Sequence, residues 1–498
     1  MSELNRRDFL GQVAGAAMAA SLPAVLRGQT ATTAPRRPNV LFFMSDDMRV
    51  ELGCYGSRFG ALTPNLDALA GAGVRFDRNY CQFPLCNPSR ASLLTGRNPT
   101  TTGVLGNRTD FRVRHPDWIS LPQLFREHGY VSLRTGKIYH GGIDDPKAWT
   151  VGGGVREGDG GAGGHTLVQP RPEVGGRPEY DPPPLDLDVR QAPHSDRIVV
   201  LDGHGEGHPD YHTADVAIEY LRQYRDRPFF LGCGFVKPHS PPCAPQQFLD
   251  LYDTDRIRLT PDFAPWPTVP PGFPSAAIRK RNADLFIGRG ASEAEAKQVI
   301  RAYLASISWA DWNLGRVMAE LDRLGLRANT IIVFAVDHGY QLGEKGKWSK
   351  AGSLFEMGTR VPLLLVVPGA AGNGRACYRI VESLDLYPTL AELCGLPAPA
   401  GLEGRSLVPL LHDPQAAWDR PAFSVWSEDG RTLHGVAVRT PDWRYAEFGP
   451  GGRDGAMLFD PKTDPLEMTN LADDPAHAAV VAQLSALTRR YAAALATV

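Results

Sequence analysis

This sequence predicts an α/β fold: a largely parallel sheet with helices on both faces, then a small C-terminal α+β subdomain. Three observations carry that reading. Short continuous apolar runs, such as Val40-Leu41-Phe42-Phe43-Met44, suit strands buried on both faces. These runs alternate with helical stretches, the rhythm of parallel sheets. After Leu411 the style changes to short alternating segments, as in an antiparallel sheet. With 498 residues and 43% hydrophobic content, the chain can bury a large core.

Taken in order, residues 1–34 read as a targeting segment outside the fold. Arg6-Arg7 precedes an Ala/Gly/Val/Leu run from Leu10 to Leu26, which looks like a twin-arginine export signal. The expected partner is therefore an export machinery, and the expected location is periplasmic or secreted. The run is short for a membrane span and holds Pro23, so no stable membrane association is expected. Pro38 to Ser45 is the first strand and ends in Asp46-Asp47. Thr63-Pro64 caps a helix through Ala70, closed by Gly71 and Gly73. Cys86 opens another helix, with Pro88 in its first turn.

Leu121 to His128 reads as a helix stopped by Gly129, and Tyr130 to Arg134 as a strand. Gly152 to Pro184 is Gly- and Pro-rich, a long surface loop. Ala214 to Tyr224 is an amphipathic helix feeding the strand Phe229 to Phe235, and Pro261 to Pro274 is irregular. Ser292 and Glu295 form a capping box for a helix to about Leu324, which Gly325 ends. Thr330 to Val336 is a further buried strand. The expected domains are 35–411, catalytic, and 412–498, an antiparallel sheet with a terminal helix starting at Ala476.

Net charge is −2, from 53 basic and 55 acidic residues. No global field draws nucleic acid or an anionic membrane, so any anion must be recognised locally. Seven cysteines (Cys54, Cys81, Cys86, Cys233, Cys243, Cys377, Cys394) show neither CxxC nor zinc spacing.

In open α/β sheets ligands gather beyond the carboxyl ends of strands, and four strand ends here carry chemistry. They hold Asp46 and Asp47; Lys137 and His140; Lys237 and His239; and Asp337 with His338. Asp46, Asp47 and Asp337 with His338 make an oxygen-rich set suited to a hard cation. Cys86 sits at a helix N-terminus, where free N–H groups favour negative charge. Asn107 and Arg108 follow that helix and read equally as substrate contacts or surface loop. His204, His208 and His212 lie among Gly203, Gly205, Gly207 and Pro209, which breaks any helix that would align them.

Cys86-Asn87-Pro88-Ser89-Arg90 followed by Leu94-Thr95-Gly96-Arg97 resembles the signature of type I sulfatases. The resemblance implies an alkaline-phosphatase-like fold, a large mixed sheet flanked by helices. It also implies that Cys86 is oxidised to formylglycine by a formylglycine-generating enzyme, the hydrate being the nucleophile. A serine would be left as a stable sulfate ester, whereas a geminal diol can expel sulfate with its second hydroxyl. By the same resemblance, calcium is bound by Asp46, Asp47, Asp337, His338 and the modified Cys86. Arg90 then steadies the diol, Lys137 and Lys350 hold sulfate, His140 takes a proton from the diol, and His239 protonates the leaving alcohol. Lys347 is the rival to Lys350.

The similarity runs from Asn39 to Leu411, and Gly136-Lys137-Ile138-Tyr139-His140, Lys237-Pro238-His239 and Trp348-Ser349-Lys350 fit the iduronate-2-sulfatase branch. Val236 stands where that branch often has histidine. The expected substrate is a sulfated carbohydrate, a 2-O-sulfated uronate, with Lys237 and Asn107 contacting it and Lys237 meeting the carboxylate. The alternatives are a phosphodiester or phosphonate monoester hydrolase of the same superfamily, or a sulfatase for another sugar.

Overall fold

The computed structural model describes residues 37–152, 164–168 and 194–493. The targeting segment of residues 1–34 lies outside them, as does most of the loop expected from Gly152 to Pro184. In chain order the strands are β1 (Asn39–Asp46), β2 (Val74–Tyr80), β3 (Val131–Gly136), β4 (Gly164–Val168), β5 (Ile198–Leu201), β6 (Phe229–Pro238) and β7 (Cys243–Pro245). They continue as β8 (Thr330–Val336), β9 (Leu363–Val366), β10 (Ala376–Glu382), β11 (Ala422–Trp426), β12 (Gly435–Arg439), β13 (Arg444–Phe448) and β14 (Ala456–Phe459).

The main sheet runs β10-β2-β9-β8-β1-β6-β3. Alternation along β1 sends Leu41 and Phe43 into one core and Val40, Phe42 and Met44 into the other, so the apolar run is buried on both faces. The first core is closed by the helices Glu293–Arg323 and Pro209–Tyr224, and the second by Cys86–Thr95, Leu121–Glu127 and Leu386–Leu393. The capping box of Ser292 and Glu295 is present.

The sheet is mixed because β9 runs antiparallel to both β2 and β8. Only one short helix, Glu356–Thr359, lies between β8 and β9. The apolar-run reading did not resolve β2, β9 or β10 as strands. The loop expectation also fails in part, since β4 pairs antiparallel with β5 in a smaller sheet.

Pro209 does not break a helix but starts one, at the position where its missing N–H costs nothing. His208 is the N-cap, its Nδ1 accepting from the Asp210 amide at 3.0 Å, and His212 lies on the helix. The three histidines are therefore not all in a loop. Thr63 does not cap the Pro64–Ala72 helix with its side chain. Asp311, distant in sequence, accepts from the amides of Asn65 at 3.2 Å and Leu66 at 2.7 Å.

Strands β11 to β14 form an antiparallel meander on which the Ala478–Ala493 helix packs through Leu484. Val425 N–H donates to the Gln82 carbonyl at 2.9 Å, which docks this sheet on the main body. Among the described residues no helix is long and apolar enough to cross a membrane.

Strands β8, β1, β6 and β3 are consecutive neighbours, and each pair is parallel. Their carboxyl ends therefore open on one edge. Gly136 closes β3 with φ at +68°, and a Cβ there would lie 2.0 Å from the Gly234 carbonyl oxygen. That close approach lets Lys137 N–H donate to the same oxygen at 2.8 Å. Gly136→Ala should lose stability, about 1–3 kcal/mol from the backbone conformation alone, with more from the clash. Denaturant unfolding of the two proteins measures it, and an unchanged midpoint would show that the approach is not a constraint.

Candidate active site

Asp46 ends β1 and Asp47 follows it. Consecutive residues on a strand point to opposite faces, yet both carboxylates face one pocket, because Asp47 takes φ of +61°. A left-handed aspartate is strained; here the Tyr303 hydroxyl donates to the Asp47 carbonyl at 2.6 Å and helps to fix it.

Cys86 is the first residue of the Cys86–Thr95 helix and is 1% exposed. Its Sγ lies 3.5 Å from Asp46 Oδ1 and 3.3 Å from His338 Nε2. Asn107 Oδ1 accepts from the Asn87 amide at 3.1 Å, so Asn107 holds this helix end. Arg90 lies one turn along from Cys86, fully buried. Its Nε donates to Asp337 Oδ2 at 2.9 Å, its Nη2 lies 3.4 Å from Asp46 Oδ2, and its Nη1 donates to the Lys137 and Ile138 carbonyls at 2.7 and 3.0 Å. One guanidinium thus ties three strand ends together.

The Lys137 ammonium pairs with Asp46 Oδ2. Lys350 Nζ stands 3.0 Å from Asp47 Oδ2 and 3.2 Å from Asp284 Oδ1. Lys347, its rival, points elsewhere: it is buried and donates to the carbonyls of Arg279 and Arg281. His140 and His239 are half-buried, and His239 Nδ1 donates to the Ser240 carbonyl at 2.7 Å.

Lys237 is not where the sequence reading placed it. It is 1% exposed, and its ammonium donates to the carbonyls of His239 at 2.8 Å and Pro241 at 2.9 Å. A cation turned back onto its own bend shapes the His239 loop.

Charge in this pocket is set by burial against ion pairing. Burial acts to raise the Asp46 carboxyl, but Lys137 and Arg90 overcome it and hold it well below the usual range. Burial lifts Asp47 to about 7, against the pull of Lys350 and His338. For the Cys86 thiol, burial and Asp46 push upward, yet Lys137, His338 and Lys350 bring it down. His338 is raised to about 10: burial opposes its charge, but Asp337 and Cys86 outweigh burial. Burial, then Lys137, depresses His140 to about 4.

Asp46, Asp47, Cys86 and His338 offer ligand atoms that all lie within 4.8 Å of one another. Asp47 Oδ1 is buried and accepts no hydrogen bond. Two carboxylates and an imidazole gathered around one buried point, with Asp47 Oδ1 accepting no hydrogen bond, fit a divalent cation. Asp337 stands just outside this group. Its Oδ2 receives Arg90, and its Oδ1 accepts from the amides of Asp47 at 3.3 Å and His338 at 2.9 Å.

Two residues escaped the sequence reading. Asp284 lies at no strand end, and Tyr303 lies in mid-helix; neither has a local pattern that marks it.

The family described as sulfatase matches residues 38–396, and the one described as N-sulphoglucosamine sulphohydrolase, C-terminal, matches residues 343–493. Iduronate 2-sulfatase of Mus musculus is 32% identical over 554 residues, covering 93% of this chain and 95% of its own. A solved protein in complex with its substrate D-glucosamine-2-N,6-O-disulfate has a TM-score of 0.71 at 23% identity, over 93% of this chain and 99% of that one. Phosphonate monoester hydrolase from Silicibacter pomeroyi gives 0.70 at 24% identity, over 91% and 95%. Both structures share the fold, an alkaline-phosphatase-like mixed sheet with a small C-terminal sheet, as the sequence resemblance implied.

A divalent cation should stabilise the protein by mass action, about 2.7 kcal/mol at ~100 times its Kd. Thermal unfolding after chelation and after readdition measures this. Asp47→Asn should abolish most of the difference, and an identical shift in that variant would place the cation elsewhere.

Proposed function

The chain belongs to the sulfatase family and is a sulfuric ester hydrolase, and from that premise we propose that it removes sulfate from sugars, the substrate class being 2-O-sulfated uronates. The carrying observation is Cys86 at a buried helix N-terminus, within 3.5 Å of Asp46 and 3.3 Å of His338, with Arg90, Lys137 and Lys350 around the same carboxylates. Formylglycine at position 86 would supply a hydrated aldehyde, with one hydroxyl to attack sulfur and another to expel sulfate. Calcium held by Asp46, Asp47 and His338 would add Lewis acidity beside that hydrate.

The protein's own residues do the rest. Arg90 holds the Cys86 turn against Asp46 and Asp337, so position 86 is oriented before substrate arrives. Lys137 and Lys350 supply fixed positive charge for sulfate oxygens. His140, neutral at any pH above about 4, is ready to accept a proton from position 86. His239, its Nδ1 donating to the Ser240 carbonyl, is the group assigned to protonate the departing alcohol oxygen.

The mouse relative's name supports the uronate; Val236 and the inward-turned Lys237 do not add to it. The second reading is a phosphonate monoester hydrolase, the activity for which the Silicibacter pomeroyi neighbour of the same fold is named. Purified protein assayed on terminal 2-O-sulfated uronates, other sulfated sugars and phosphonate monoesters decides between them. Higher kcat/KM on the uronate sulfates supports the proposal. Preference for the phosphonate ester, or no turnover of any uronate sulfate, overturns the substrate assignment.

Mass spectrometry of the peptide containing Cys86 should show an aldehyde in place of the thiol in active protein. An active preparation with cysteine alone there would end the formylglycine mechanism. Lys137→Ala should cost roughly 10²–10³ in kcat, the scale of losing one group aimed at developing charge.

The acid limb of kcat should report His140. Its pKa is lowered to about 4, so its neutral form survives down to that pH and activity falls only below it. A limb near the ordinary histidine value of about 6.5 would assign the base to another group.

A further inference from the structure

Lys350 stands between two carboxylates, Asp47 and Asp284, and only Asp47 belongs to the cation group. Asp284 comes from the irregular stretch before the Glu293–Arg323 helix. That stretch is laced to the loop carrying Lys350. Asn282 Oδ1 accepts from the Trp348 amide at 2.9 Å, and its Nδ2 donates to the Gly346 carbonyl at 3.2 Å. Phe286 packs on Trp348 with ring centroids 4.8 Å apart. Both backbones are therefore pinned, and the spacing between Asp284 and Lys350 is set by the fold. The Asp284 and Lys350 side chains are 12% and 6% exposed, so neither charge can turn freely to water if its partner is lost.

We propose that Asp284 is a positioning residue for Lys350: it shares the ammonium with Asp47, so that Lys350 does not neutralise Asp47 alone and keeps a charge for the substrate anion. With Asp284 neutralised, Lys350 has a single carboxylate left, and its whole charge falls on Asp47. Ammonium and cation then compete for the same oxygens. The part of Lys350 in substrate binding rests on the sulfatase reading above; the competition at Asp47 does not.

A double-mutant cycle separates the possibilities, with calcium binding to chelator-treated protein read by calorimetry. Asp284→Asn should weaken calcium roughly tenfold, the size of a coupling between neighbouring groups. In a Lys350→Ala background the same change should cost less than twofold. Lys350→Ala alone releases Asp47 and should bind calcium at least as tightly as the unaltered protein. Asp284→Glu should restore most of the affinity.

On a sulfate ester, Asp284→Asn should lower kcat roughly tenfold, and lower it no further when Lys350 is absent. Equal calcium losses in both backgrounds overturn the proposal, as does weaker binding in Lys350→Ala. A purely structural residue would lower the unfolding midpoint while leaving calcium affinity per folded molecule unmoved. If the calcium cycle holds but no sulfate ester is turned over, the failure belongs to the sulfatase reading.

Discussion

Buried like charge governs this structure. Asp46, Asp47 and Asp337 are fully buried around Cys86, and carboxylates a few ångströms apart repel by about 4 kcal/mol per pair even at an effective dielectric of 20. The pocket exists because Arg90, Lys137, Lys350 and His338 are packed into it. Arg90 is the central member: it pairs with Asp46 and Asp337 and also donates to the carbonyls after β3. A lysine there could not reach three strand ends at once. Asp47 Oδ1, buried and accepting no hydrogen bond, is the oxygen that this packing leaves for a metal ion.

Topology decides where this charge collects. Four adjacent parallel strands, β8-β1-β6-β3, end on one edge, and the residue after each strand inherits the pocket. The helix dipole of Cys86–Thr95 meets the same edge from the second core. The C-terminal sheet is coupled to it through buried polar contacts. Glu356 pairs with Arg444 at 3.2 Å, and Tyr80 donates to Glu356 at 2.8 Å. The next residues of that turn, Met357 and Gly358, accept from the amides of Tyr340 and Gly339, directly after His338. The small sheet therefore braces the loop that carries the His338 imidazole.

Most of this was legible because it is local. Strand ends are readable from apolar runs, so Asp46, Lys137, His239 and Asp337 could be grouped before any geometry was known. The Cys86 segment is readable because its helix start and its motif coincide. Lys237 shows the limit: its neighbours in sequence say where its backbone goes, but the Ser240-Pro241 bend decides where its ammonium turns. Asp284 shows another, since its partner Lys350 is far along the chain. Strand β9 escaped for a similar reason, being a short piece whose direction depends on a return from β8.

The burial of Cys86 also constrains when it can be altered. Every residue from Cys86 to Thr95 is buried, and Ser89 Oγ donates to the Asp337 carbonyl beneath the turn. An enzyme acting on the Cys86 thiol needs that turn extended and exposed, which would break the Arg90 pairs with Asp46 and Asp337 and leave buried carboxylates unpaired. Breaking one buried pair by removal of a partner costs about 3–5 kcal/mol, and here two are joined on one guanidinium. The oxidation proposed for position 86 would therefore come before the sheet closes over it. The same charge network that makes the folded pocket reactive also shuts it to the chemistry that would prepare it.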